Sequence, residues 1–141
     1  ESITNATYVP LDELLRESDF VSLHAYLSPS SRQMIGKSQL EMMKPSAILI
    51  NTARGAMVDH QALYEALKEK KIAAAALDVF DPEPIPAGHP LLGLSNVIIC
   101  PHIASASTET RRKMAQMTAD NILAGLQCKP LPYCANPQVY N

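Results

Sequence analysis

Three polar clusters, each closing an apolar run of strand length, carry the chemistry in this sequence. Arg54 lies in Ile50-Asn51-Thr52-Ala53-Arg54-Gly55, Asp78 and Glu83 in Leu77-Asp78-Val79-Phe80-Asp81-Pro82-Glu83-Pro84, and His102 in Cys100-Pro101-His102-Ile103-Ala104-Ser105. They supply an anion binder, carboxylates and a proton donor or acceptor. In an open parallel α/β sheet, ligands bind outside the carboxyl ends of the strands. Polar residues that each terminate a buried strand therefore converge on one crevice, and such a set points to an enzyme.

The elements that must position these residues are readable from the apolar pattern. Residues 20–23, 47–50, 72–79 and 97–100 are apolar nearly throughout, the pattern of parallel strands buried on both faces. Helical stripes lie between them. Leu11, Leu14 and Leu15 share a face after Pro10, a residue suited to a first helical position. Ser38 and Glu41 have the spacing of a capping box ahead of Leu40 and Met43. Ala62, Leu63, Ala66 and Leu67 form the next stripe, with Asp59 placed to cap it. The alternation predicts an α/β fold, a partial Rossmann-like, doubly wound parallel sheet with right-handed crossovers. Residues 81–90 are too rich in proline for helix or sheet and read as a stiff loop that fixes Glu83. Thr108 to Gln127 reads as a long helix, with Met114, Met117, Ile122 and Leu126 spaced for one buried face.

Composition narrows the class. With 141 residues, 47% hydrophobic and 18% charged, the chain can bury a real core. A net charge of -2 and a pI near 6.1 leave no electrostatic footprint for nucleic acid or an anionic membrane. No apolar run approaches the roughly 20 residues needed to span a bilayer, so the expectation is a soluble cytoplasmic protein. Cys100, Cys128 and Cys134 lack zinc spacing and a CxxC pair, and no metal site is expected. His60 and His89 read as surface residues without a role.

The run from Met43 to Asp59, the segment Leu77 to Pro84, and Pro101-His102-Ile103-Ala104-Ser105 together resemble the D-isomer-specific 2-hydroxyacid dehydrogenases. The resemblance extends over essentially the whole chain. Leu123-Ala124-Gly125-Leu126 with Pro130-Leu131-Pro132 looks most like the glyoxylate/hydroxypyruvate reductase branch. What the resemblance implies is that Arg54 holds the carboxylate and carbonyl of a small 2-oxoacid and that Glu83 pairs with His102. His102 then passes a proton while NAD or NADP handles the hydride. Each role suits its residue: a guanidinium is a planar, permanently charged fork for a carboxylate. Histidine titrates near neutral pH, and a carboxylate beside it favours the imidazolium. Reduction should then fade at high pH. On the cofactor side, Asp78 resembles the aspartate near the nicotinamide carboxamide. Thr52 and Ser105 are placed for small polar or backbone contacts, and Tyr26 stands where the family usually has proline.

The same resemblance divides the chain at residue 106. Residues 1–106 correspond to the C-terminal part of a nucleotide-binding domain, and 107–141 to a crossover helix and tail returning toward a substrate domain. The glycines, Gly36, Gly55, Gly88, Gly93 and Gly125, never form GxGxxG. The first strands, the glycine-rich loop and the substrate domain are expected to precede Glu1. A fragment of this kind would have no useful activity by itself. It would also leave an edge near Phe20 to His24 open apart from Tyr8-Val9, which invites pairing with another chain; a homodimer is expected for this reason and from the family. The alternative is a non-catalytic binding module of the corepressor type, which keeps the dehydrogenase fold. Formate dehydrogenases fit less well, because they resemble this chain with glutamine where Glu83 stands.

Overall fold

The computed structural model describes residues 6–140. Its elements alternate: α1 (Leu11–Glu17), β1 (Phe20–Leu23), α2 (Lys37–Met42), β2 (Ile48–Asn51), α3 (His60–Lys68), β3 (Ala74–Leu77), β4 (Val97–Ile99) and α4 (Thr108–Leu126). The four strands form one parallel sheet in the order β1-β2-β3-β4, with Val21, Leu49, Ala75 and Val97 in register. Successive right-handed crossovers that all step in the same direction lay their helices on the same face. Accordingly α1 packs on α2 and α2 on α3.

That layer holds the core. Val21, Leu23, Leu49, Ala75 and Leu77 point from the sheet into it, and Leu15, Leu40, Leu63 and Leu67 meet them from the helices. Each fully buried leucine contributes about 1.5–3 kcal/mol of transfer free energy. The strands were expected to be buried on both faces, and here they differ. Phe20, Ser22 and Ile98 on the opposite face are exposed, and Ile48, Ile50, Ala74 and Ala76 are half-buried. An unbroken apolar run shows that both faces can be covered, but not what covers the second. Phe20 sits on β1, an edge of the sheet among the described residues, and is 68% exposed.

Local signals hold in some places and move in others. Asp59 caps α3, its Oδ1 accepting from the backbone N–H of Gln61 and Ala62 at 3.0 and 3.1 Å. Helix α2 begins before Ser38: Gly36 is its N-cap, and the Gly36 N–H donates to Gln39 Oε1 at 3.2 Å. The Ser38 to Glu41 spacing is therefore not the cap, because Gln39 reaches back first. Pro10 stands just outside α1, its carbonyl accepting from the Leu14 N–H.

The chain divides into two compact units, the first ending at His102 and the second beginning at Ile103. The second holds α4, capped by Ser107, whose Oγ accepts from the Thr110 N–H at 3.1 Å. Asn121 on α4 is bonded to the tail, exchanging two hydrogen bonds with the backbone of Tyr133. The face expected to be buried on α4 is open: Met114, Ile122 and Leu126 are exposed and no residue of the helix is buried. Periodicity marks the face of a helix that favours burial without supplying its cover.

Candidate active site

Strands β2, β3 and β4 end side by side, and the loops leaving them carry the polar residues singled out above. Asn51, the last residue of β2, is fully buried and shapes the turn that follows. Its Oδ1 accepts from the Ala53 N–H at 3.1 Å and its Nδ2 donates to the Arg54 carbonyl at 2.9 Å. An asparagine bonded to the backbone just beyond it replaces part of a turn's own ladder. Residues 52–54 are held in one path, and Arg54 emerges exposed, its Nη1 donating to the Ala53 carbonyl at 2.6 Å. Asn51 is a residue the sequence reading passed over, although its Asn-Thr-Ala-Arg-Gly context is typical of an asparagine-led turn.

The turn then presses on the segment after β3. Gly55 is buried, and a Cβ there would run into the backbone of Phe80. The absence of a side chain is what lets the two strand-end loops touch. Phe80, in turn, orients Glu83. Its backbone N–H donates to Glu83 Oε1 at 2.7 Å, and the other carboxylate oxygen, Oε2, lies 2.8 Å from His102 Nδ1. An ionised carboxylate only accepts, so Nδ1 carries the proton in this contact and Nε2 is the ring's other nitrogen. The hydrogen bond from His102 is the main reason Glu83 titrates below the ordinary carboxylate range, with the Phe80 N–H adding to it; partial burial and Asp78 oppose it. His102 itself has φ 55, a left-handed conformation that few non-glycine residues adopt and that recurs where a side chain must be aimed.

Glu83 and His102 line a cavity of about 300 Å³ together with Asp78, Phe80, Ile85 and Ile99. A second cleft, of about 250 Å³, is lined by Leu27, Arg32, Arg54, Ala56, Phe80 and Asp81. Phe80 is thus a wall of both. Arg32 in this cleft is paired with Asp81 at 3.2 Å. The structure therefore brings Asp78, Glu83 and His102 together and sets Arg54 on the other side of Phe80. Thr52 is exposed at the end of β2, and Tyr26 is 81% exposed beyond β1; neither lines these cavities. Ser105 is exposed within the second unit.

The expectation that His60 and His89 are idle surface residues is corrected. The His60 ring meets Phe80 edge-on at 5.8 Å between centroids and His89 at 5.7 Å, and its Nε2 is buried without a hydrogen-bond partner among the described residues. His89 Nδ1 accepts from the Leu91 N–H at 3.3 Å, starting the 3₁₀ turn Pro90–Gly93. No group of three or more metal-ligating side chains gathers among the described residues. No helix there is long and apolar enough to cross a membrane.

A four-stranded parallel sheet whose strand ends gather a paired carboxylate and imidazole beside an apolar cavity has the architecture of a Rossmann-like domain. The family model of the D-isomer specific 2-hydroxyacid dehydrogenase, NAD binding domain, matches residues 1–104, and the chain belongs to that family. It is 55% identical over 132 residues to the glyoxylate reductase of Korarchaeum cryptofilum, covering 94% of this chain and 40% of that protein. It is 54% identical over 139 residues to glyoxylate/hydroxypyruvate reductase B of Enterobacter agglomerans, covering 99% and 43%. The chain thus spans about two fifths of the length of these relatives. Among solved structures, the TT0316 protein of Thermus thermophilus matches with a TM-score of 0.88 at 47% identity over 92% of this chain and 42% of its own. D-lactate dehydrogenase with NAD+ from Lactobacillus jensenii matches at 0.84 and 38% identity, over 92% and 43%.

Proposed function

We propose that this chain is the part of a 2-oxoacid reductase that carries the acid/base pair and the substrate's anion binder, with glyoxylate or hydroxypyruvate as substrate and NADH or NADPH as reductant. The observation that carries the reading is the Glu83–His102 pair, at 2.8 Å, opening into the same cavity as Asp78. Apolar walls from Phe80, Ile85 and Ile99 with one buried carboxylate, Asp78, suit an aromatic ring bearing an amide. Asp78 would hold that carboxamide. Thr52, Ser105 and Tyr26 are assigned to the rest of the dinucleotide on the family motifs alone. When bound, the reduced nicotinamide supplies a hydride.

The chain's own residues do the rest. Arg54 pairs its guanidinium with the carboxylate of the 2-oxoacid, which fixes the carbonyl within reach of His102. His102 Nε2 donates a proton to the carbonyl oxygen as it gains negative charge, so the alkoxide never has to form free in water. Glu83, anchored on the Phe80 N–H, keeps the proton on Nδ1 and steadies the cationic ring. In the reverse direction the neutral ring accepts the proton from the hydroxyacid.

The test is a screen of the intact protein that carries this chain, following NADH and NADPH absorbance with glyoxylate, hydroxypyruvate and pyruvate. Turnover of one of these acids is expected, and none from the 141-residue chain by itself. A folded intact protein that binds dinucleotide but turns over no 2-oxoacid would move the assignment to a non-catalytic module of the corepressor type.

A homodimer is the assembly we propose. The support is β1, an edge of the sheet among the described residues, where Phe20 is exposed. Light scattering should return twice the monomer mass, and a single-copy mass at micromolar concentration would remove the proposal.

A further inference from the structure

The loop that carries Glu83 has little burial of its own. Of residues 81–88, only Ile85 is not exposed. Apart from the exposed Arg32–Asp81 pair and the bonds of Glu83 itself, the segment meets buried side chains at its two ends. Both ends meet one side chain. Phe80, immediately before the loop, and His89, which closes it, each present a ring to His60 at 5.8 and 5.7 Å between centroids. His60 is the first residue of α3, whose N-terminus is capped by Asp59 and whose Leu63 and Leu67 are fully buried, so it is set on a rigid element.

We propose that His60 is a positioning residue for the Glu83–His102 pair: its ring staples the two ends of residues 80–89 to α3 and so holds the Phe80 N–H where Glu83 needs it. The proposal rests on the reading of that pair as the acid/base of the site. Edge-on ring contacts are directional, which an aliphatic side chain at this position would not reproduce. Phe80 is also approached closely along its backbone by Gly55, so the His60 contact bears on its ring. The charged and titratable groups around His60 are Asp59 on its own helix and Asp81 and His89 on the loop. Burial, and then His89, hold its pKa below the ordinary value, while the two aspartates pull upward. The ring is therefore neutral at neutral pH and acts by its shape. Its Nε2, buried and without a partner, fits that role: nothing in the contact depends on a hydrogen bond from it.

A phenylalanine should then serve as well as the histidine. The experiment uses the intact protein with ¹³C-labelled glutamate, following the Glu83 carboxyl through a pH titration by NMR, alongside kcat and KM for glyoxylate. In His60→Ala the Glu83 midpoint is expected to rise toward the ordinary value of about 4.3. In the same variant kcat should fall about tenfold, as slight misplacement of a catalytic group does, with KM changed by less than about twofold. His60→Phe should keep both the low midpoint and the wild-type kcat. A wild-type Glu83 titration in a folded His60→Ala protein overturns the proposal, and so does a His60→Phe protein as disturbed as His60→Ala. If His60→Ala does not fold, His60→Phe decides on the same two readouts. If no 2-oxoacid is reduced at all, the functional reading fails while the Glu83 titration still decides this one.

Discussion

His102→Gln should lower kcat for 2-oxoacid reduction by about 10²- to 10⁴-fold, the range in which a positioned general acid contributes. Glutamine keeps a polar group near the carbonyl but has no proton to give. Glu83→Gln separates the two parts of the pair. It preserves an oxygen for Nδ1 at the 2.8 Å contact and removes the charge that favours the imidazolium. Its loss should be smaller, since the ring keeps a hydrogen-bond partner. On the acid side, Glu83 titrates below the ordinary carboxylate range, chiefly through the His102 bond. The pairing is therefore complete above that range and is lost only as pH falls through the lowered value. Wild-type reduction should accordingly hold through weakly acidic pH. A His102→Gln enzyme within about threefold of wild type would remove His102 as the proton donor.

The Glu83–His102 contact was legible because its members lie in motifs that run along the chain. Pro101-His102 follows an apolar run, and Glu83 sits among prolines that admit no regular structure. From these, both the strand-end placement and the pairing could be anticipated, and the parallel sheet itself followed from the apolar runs. What could not be read are contacts between residues distant in sequence. The His60 ring touches Phe80 and His89 only because α3 and the loop after β3 lie on neighbouring crossovers. No spacing along the chain encodes that. The backbone N–H of Phe80 is invisible for another reason: every residue but proline has one, and its partner, Glu83, is determined by the path of the loop. Gly55 falls between. A glycine after Arg54 suggests a turn, whereas the structure shows close approach to another backbone with no positive φ. The α4 stripe shows the opposite limit, since an apolar face at Met114, Ile122 and Leu126 was recognised and its exposure was not.

Arg54 carries the second large effect. Arg54→Ala should reduce kcat/KM for glyoxylate by about 10²- to 10³-fold, since truncating one partner of a hydrogen-bonded charge pair costs about 2–5 kcal/mol. Arg54→Lys should recover little of this. Lysine restores the charge but not the planar fork that grips two oxygens and orients the carbonyl. Both kcat and KM should therefore suffer in Arg54→Lys, with kcat the more affected if orientation matters more than attraction. The geometry makes a competing assignment testable in the same series. Arg32 lines the same cleft as Arg54 and is the other guanidinium there, but it already holds Asp81 at 3.2 Å. Among the described residues Arg54 bonds to the carbonyl of the residue before it, a bond that a substrate carboxylate can replace at little cost. Arg32→Gln should thus change kcat/KM by no more than about threefold, as expected for an exposed ion pair. Were the order reversed, with Arg32→Gln the crippled enzyme and Arg54→Ala nearly intact, the anion binder would be Arg32, the arginine of the loop after β1.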